Sequence, residues 1–447
     1  MTTIAQNLFL GLAVLAGTIP ARAETLSFQT VWEQITTTSP AQEAAALKAQ
    51  SAEVGLSNAK KHWLPRVYLE ARSARTNESG AVLFGFLGQR KVGAADFSPD
   101  SLNHPEAQTQ TRGALGLDLV LYEGGSKQAQ VRMYQQVAEA EKLSVKQMQI
   151  EQYGQAGFAY GMMASLKKQK LKLLDLGEQV SKLVKGYQLG QKSNPVGYSG
   201  LLGMKSLAIR IAGLVEQIEA QENASLRALI EMGAKEAGWT PESFDARAFT
   251  NRYFPVSQIN PEEASPKSMA QLSGAKALVE TSKMAKAHSL PRAGLFAESS
   301  VFDGSRGTAN AYTAGLYLQW SLFDPSSTGK YKEAKLNALA TEKMAQALLQ
   351  QENTERQGLL EMERSLRSSL QKLDESEGLL AEQTQVSSTL FKNGSIGALQ
   401  FVELLNRRTD LIAQQTEAEA SLLKTSSSLA AKSKFEIPEA AQSGGRK

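Results

Sequence analysis

The stretch KHWLPRVYL (Lys61–Leu69) returns in outline as AHSLPRAGL (Ala287–Leu295). His62, Leu64, Pro65 and Arg66 recur as His288, Leu290, Pro291 and Arg292 at one constant offset, in a chain of 447 residues that holds 3 histidines. Self-similarity at a fixed offset marks a repeated structural unit. The residue before a proline is pushed out of the helical region. Leu64-Pro65 and Leu290-Pro291 therefore read as two copies of one crossing, from a helix into a strand.

Each crossing leads into alternating sequence, RVYLEARSART from Arg66 and RAGLFAESS from Arg292. A second alternating run follows in each half, GALGLDLVLYEGG from Gly113 and AGLYLQWSLFDPS from Ala314. Leu115, Leu117, Leu119 and Leu121 line up with Leu316, Leu318, Trp320 and Leu322. Apolar residues at every second position predict strands with one greasy face. The segment between the strands, about residues 76–111, is long in the first half and rich in Gly, Pro and turn formers, so a large ordered loop is expected there. The residues before the first crossing, Thr25 to Ala59, are Ala-rich and helix-like.

After the strands come long proline-free runs, Pro105 to Pro195 and Pro325 to Pro438, rich in Ala, Leu, Gln, Glu and Lys. Helices of that length without internal caps predict a coiled coil about 100 Å long. Gly154, Gly157 and Gly161 form a small-residue row that predicts close helix packing. Each run breaks at an aromatic residue followed three positions later by glycine, Tyr187 with Gly190 and Phe391 with Gly394. These are the turns of two helical hairpins.

Composition narrows the function. There is no cysteine, and 49 basic against 45 acidic residues are interspersed, so neither a thiolate metal site, a disulfide nor a nucleic-acid footprint is indicated. DPSSTGK lacks the first glycine of a phosphate loop, GYSGL (Gly197–Leu201) lacks the last glycine of a nucleophile elbow, and Ser165 with Lys168 forms a Ser-x-x-Lys pair expected by chance. No enzyme, cofactor or metal is expected. Leu8–Gly17 is an apolar run followed by Pro20 and Ala21-Arg22-Ala23, the form of an export signal and its cleavage site. The divisions read from the sequence are 1–23 signal peptide, 24–232 first repeat, 233–268 proline-rich linker or equatorial segment, 269–432 second repeat and 433–447 disordered tail.

Four strands cannot close a barrel, and an open sheet edge cannot stand in lipid. Membrane barrels need 8 strands or more, so two copies or three must share their edges. In its duplicated order the chain resembles the TolC-like outer-membrane efflux family, on the paired Leu-Pro crossings, the strand ends LVLYEGG and WSLFDPS, and the tips around Gly190 and Gly394. The resemblance implies a mixed α/β membrane protein: a homotrimer with a 12-stranded β-barrel in the outer membrane of a Gram-negative bacterium, continued into the periplasm by an α-helical barrel. It implies an exit channel of a tripartite pump, bound to outer-membrane lipid, to a periplasmic adaptor and to an inner-membrane pump. The loop FGFLGQRKV…ADFSPDSLNHP is similar to members serving resistance–nodulation–division pumps. The other readings are the channel of a type I protein secretion system and, from another class, a soluble periplasmic coiled-coil scaffold. In the family the second tip carries acidic residues six and nine positions after its glycine; here these are Gln400 and Glu403, so one carboxylate remains as a pore-constriction candidate. The first tip has Pro195-Val196-Gly197 where the family pattern has a helix start with Asp.

Overall fold

The computed structural model describes residues 24–187, 194–236, 238–260 and 262–438. The export-signal residues 1–23, Gly190 and residues 439–447 lie outside the described residues. The chain runs β1 (Glu24–Leu26), α1 (Phe28–Thr38), α2 (Pro40–Lys60), β2 (Arg66–Thr76), α3 (Ser79–Gly88), α4 (Pro99–Asn103), β3 (Gln108–Glu123), α5 (Ser126–Gly186) and α6 (Pro195–Met232). It continues β4 (Trp239–Pro241), α7 (Ala246–Tyr253), α8 (Pro266–Ala287), β5 (Arg292–Gly304), β6 (Gly307–Gln319), α9 (Pro325–Lys392) and α10 (Ala398–Ala431).

Two local expectations are corrected. The helix expected over Thr25–Ala59 is a short strand and two helices, because Ser39 is extended at ψ 112° and Pro40 opens a new helix where its missing N–H costs nothing. The strand expected to carry Leu316, Leu318, Trp320 and Leu322 ends at Gln319. Trp320 instead donates its indole N–H to the Ser289 carbonyl at 3.2 Å, and Asp324-Pro325 starts α9.

Four of the strands form an antiparallel sheet in the order β2-β3-β5-β6, with cross-strand pairs such as Leu69↔Leu115, Leu119↔Leu295 and Leu295↔Leu316. Directly opposed residues share a face. One face therefore carries Val67, Leu69, Leu115, Leu117, Leu295, Leu316 and Leu318. The other carries Arg112, Tyr68 and Ser300, all joined to Glu298 by hydrogen bonds or an ion pair, and Asp118, which accepts from the Tyr317 hydroxyl at 3.3 Å. On the polar face, aromatic rings lie over cross-strand glycines. Tyr68 covers Gly116 and Tyr317 covers Gly294, so closely that a Cβ at either glycine would fall within 2.1 Å and 2.5 Å of the ring. Glycine admits the ring, and the ring covers backbone that glycine leaves bare.

The helices extend away from the sheet. α5 has 61 residues and α9 has 68, so they are about 90 and 100 Å long. Each folds back on its successor as a hairpin, and α10 also packs along α5. The small-residue row sits at that contact: a Cβ on Gly161 would meet Leu423 at 2.7 Å and one on Gly154 would meet Ser427 at 3.0 Å. No helix among the described residues is long and apolar enough to cross a membrane.

Midway along the helices lies an aromatic core. Phe28, Tyr153, Tyr160, Phe249, Tyr253 and Phe254 are buried, with Phe28 and Tyr253 in an edge-to-face pair at 4.9 Å. Such pairs contribute about 0.5–1.5 kcal/mol each beyond area burial. The segment 233–268 supplies half of these rings, and β4 pairs in parallel with β1, so this linker or equatorial segment is packed into the core midway along the helices. The tail also differs from expectation. Phe435 is buried against Tyr153 and Phe254 with centroids 6.0 and 6.2 Å away, so residues 433–438 are ordered by this core. Arg356, fully buried, donates to the backbone carbonyls of Glu263 and Lys432, tying both segments to α9.

Candidate functional site: helical tips and sheet faces

The second tip is a helix end closed by glycine. Gly394 takes a left-handed φ of 74°, its N–H donates to the Phe391 carbonyl at 3.0 Å, and the Ser395 N–H donates to the Leu390 carbonyl at 2.8 Å. These crossed bonds satisfy the last carbonyls of α9. α10 then opens at Gly397, whose N–H donates to the Gln400 side-chain oxygen at 3.2 Å. Gln400, expected as a constriction residue, thus serves as a helix cap. Glu403 is 62% exposed and pairs with Arg407 one turn on, at 3.2 Å. At the first tip Pro195 is the first residue of α6, and the Asn194 side-chain oxygen accepts the Gly197 N–H at 3.2 Å. Asparagine there does the capping work an aspartate would do.

The tips touch. Tyr187 stacks on Phe391 with centroids 5.8 Å apart, and Phe391 stacks on Phe401 at 5.2 Å. A cavity of about 1240 Å³ opens beside the stack, lined by Tyr187, Phe391, Gly394, Phe401 and Arg408. α6 and α10 approach until a Cβ on Gly200 would lie 2.4 Å from that of Ala398. Tyr187, Phe391 and Gly394, proposed from spacing alone, are brought to one place.

The crossings sit at the far end of the helices. α2 ends at Lys60 and α8 at Ala287, and β2 and β5 start directly after Pro65 and Pro291. His62 points its Nδ1 at the Ala59 carbonyl, 3.0 Å away, and His288 caps α8. Gly124, at φ 58°, lets the β3–α5 joint pass within 2.6 Å of the Ala287 carbonyl, measured to the position of a Cβ. Around this end Trp63, Tyr122, Trp320 and Phe323 are exposed. Aromatic side chains at such a level suit a membrane–water interface. This belt has no local pattern in the sequence, because its members come from three different segments.

Sequence reading also missed a polar seam inside the helical bundle. Ser165 donates to Glu419, which also receives the Lys168 ammonium at 3.0 Å; Lys172 pairs with Glu377 at 2.5 Å, and Gln415 donates to the same carboxylate at 2.8 Å. The Ser165–Lys168 pair is thus spent on a helix–helix contact.

No protein-family model and no curated protein matches this sequence. Solved structures do. CusC, whose structures describe transmembrane channel formation, superposes with a TM-score of 0.76 at 11% identity, covering 92% of each chain. The fold is that of the TolC-like outer-membrane channels. The outer-membrane channel CmeC of Campylobacter jejuni gives 0.72 at 12% identity over 93% of this chain and 89% of its own. The outer-membrane channel MtrE of Neisseria gonorrhoeae, solved in its open state, gives 0.70 at 13% over 97% and 98%. Trp63 and Trp320 lie where the sheet joins the helices, next to the two crossings.

Proposed function

We propose that the chain is the outer-membrane exit channel of a tripartite efflux pump, assembled as a homotrimer with a 12-stranded barrel. The observation that carries this reading is the four-stranded sheet. Among the described residues nothing pairs with its β2 and β6 edges, one face is leucine-rich and the other holds Arg112, Glu298 and Asp118. Apolar outside and polar inside is the pattern of a water-filled barrel in lipid. Closure requires each β6 to pair with the β2 of a neighbouring copy, since lipid cannot satisfy the edge groups. Likeness to channels of this fold supports three copies rather than two.

The channel then works without chemistry of its own. Charges on the inner face keep the lumen wet, the helical barrel carries the duct across the periplasm, and the tips close or open its inner end. A periplasmic adaptor meets the tips around Tyr187, Phe391 and Gly394, and an inner-membrane pump, of the resistance–nodulation–division type, supplies the energy. Three copies of Glu403 stand near the tip, each with Arg407 beside it, and set the charge selectivity there. The test is complementation. The gene, co-expressed with a resistance–nodulation–division pump and its periplasmic adaptor in a strain lacking its own exit channels, restores resistance to that pump's substrates, and the purified trimer conducts ions in a planar bilayer. Conduction without restored resistance would leave a channel of another system.

A further inference from the structure

The loop between β2 and β3 does not hang free at the end of the sheet. α3 lies on the polar face: Gln110 donates to the carbonyls of Ala81 and Val82 at 3.0 and 3.3 Å, and the Gln89 side-chain oxygen accepts the Arg306 N–H at 3.0 Å. Gly85 and Gly88 let α3 sit down on Gln110 and Phe302, since a Cβ at either would fall within 1.9 and 2.8 Å of those side chains. Gln110 pairs with Gly304 and Phe302 with Arg112, all on the face that carries Glu298.

A latch holds the loop. Arg306, in the turn between β5 and β6, grips Asp96 with both terminal nitrogens at 2.6 and 2.7 Å. It also donates to the Lys91 carbonyl at 2.9 Å, and its guanidinium stacks 3.5 Å over the Phe86 ring. A two-pronged ion pair with a ring beneath it fixes geometry that a single charge would not. The side of α3 turned away from the sheet carries Phe84, 70% exposed, and Leu87, 44% exposed. α3 itself, SGAVLFGFLG, has no charged residue.

We propose that α3 is an apolar filter at the outer mouth of the barrel, latched against the lumen wall by Arg306, with Phe84 and Leu87 of three copies forming the constriction. This rests on the duct reading above, which makes the polar face the lumen. Lipid cannot cover Phe84, because α3 lies on the face opposite the leucines. Threefold symmetry leaves other copies of α3 as the occupants across the axis. A ring of apolar side chains narrows a pore and disfavours water within it, whereas the wall below it is charged. The filter admits what arrives from the tunnel by yielding, and obstructs large hydrophilic molecules from outside.

The absence of cysteine makes the test direct. Thr313 lies on the polar face, opposite Glu298. Thr313→Cys in the full-length chain is labelled on intact cells with a small thiol reagent and, separately, with a thiol reagent carrying a bulky polyethylene glycol. The small reagent is expected to react quickly and the bulky one slowly. Adding Arg306→Ala is expected to speed the bulky reagent by roughly ten-fold, the factor carried by losing a charge-assisted hydrogen bond. Phe84→Ser, at an exposed position that leaves the latch intact, is expected to speed it as well. Equal bulky-reagent rates in all three backgrounds, with rapid small-reagent labelling, would overturn the filter while keeping the duct. No labelling by either reagent would instead overturn the duct reading, because Thr313 would then not face an open lumen.

Discussion

Tyr187 and Phe391, which end the long helices of the two repeats, stack with centroids 5.8 Å apart and ring planes 21° from parallel. The duplicated aromatic-then-glycine spacing is thus a contact as well as a symmetry. Phe391 also stacks on Phe401, so Phe391→Ala removes two ring contacts and loosens the tip by about 1–3 kcal/mol. Faster amide exchange is expected in residues 383–401, with no change in the strands. Tyr187→Phe keeps the stack and is expected to behave as wild type in the same measurement.

Gly394→Val should uncouple export from insertion. A β-branched residue at φ 74° costs on the order of 1–3 kcal/mol and spoils the crossed hydrogen bonds that end α9. The expected outcome is a normal amount of membrane-inserted trimer with export lowered several-fold, read by substrate accumulation in cells. Normal export would remove this turn from the mechanism.

Selectivity at the tip should follow the Glu403–Arg407 pair. Glu403→Gln leaves Arg407 uncompensated and shifts the channel toward anions, whereas Arg407→Gln frees the carboxylates and shifts it toward cations. Reversal potentials across a salt gradient give the two signs, and equal values for both variants would take Glu403 out of the constriction.

The two sheet faces should differ in their tolerance of charge. Leu316→Lys places an ammonium on the leucine face, at a cost of about 2–4 kcal/mol near the bilayer centre, while Thr313→Lys adds one to the polar face at little cost. The yield of detergent-resistant trimer is expected to fall for the first variant alone.

The latch should be indifferent to pH over the physiological range. The Arg306 side chain, helped by the Gly93 N–H, holds the Asp96 carboxyl at about 2. A depressed carboxylate contributes stability above its ordinary value near ~3.9 and loses it only as pH falls through the folded value. The ratio of bulky to small reagent labelling at Thr313→Cys is therefore expected to stay flat from pH 8 to pH 5. A change near pH 6 would mean that some other group holds the loop.

What the sequence made legible was whatever repeats or has a period. The strand Arg66–Thr76 was located to the residue from alternation, and the long helices from the lack of proline, because both signals are local. The contacts that give the elements their roles were not visible. α3 was hidden inside a loop reading because its ten residues are apolar all round and its partner surface, at Gln110 and Phe302, is distant in sequence. Phe435 was assigned to a disordered tail because one aromatic residue near Pro438 carries no pattern; its partners Tyr153 and Phe254 come from two other segments. Gln400 was placed by the family's spacing alone, and its hydrogen bond to the Gly397 N–H, a capping contact, has no signal in that spacing.

The channel exists only if neighbouring copies close the sheet between β6 and β2. Native mass spectrometry of the full-length protein released from detergent measures that directly. Three chains per particle are expected, with the protein recovered from the outer-membrane fraction only after detergent is added. A monodisperse single chain, recovered in aqueous buffer with both sheet edges unpaired, would contradict that assembly.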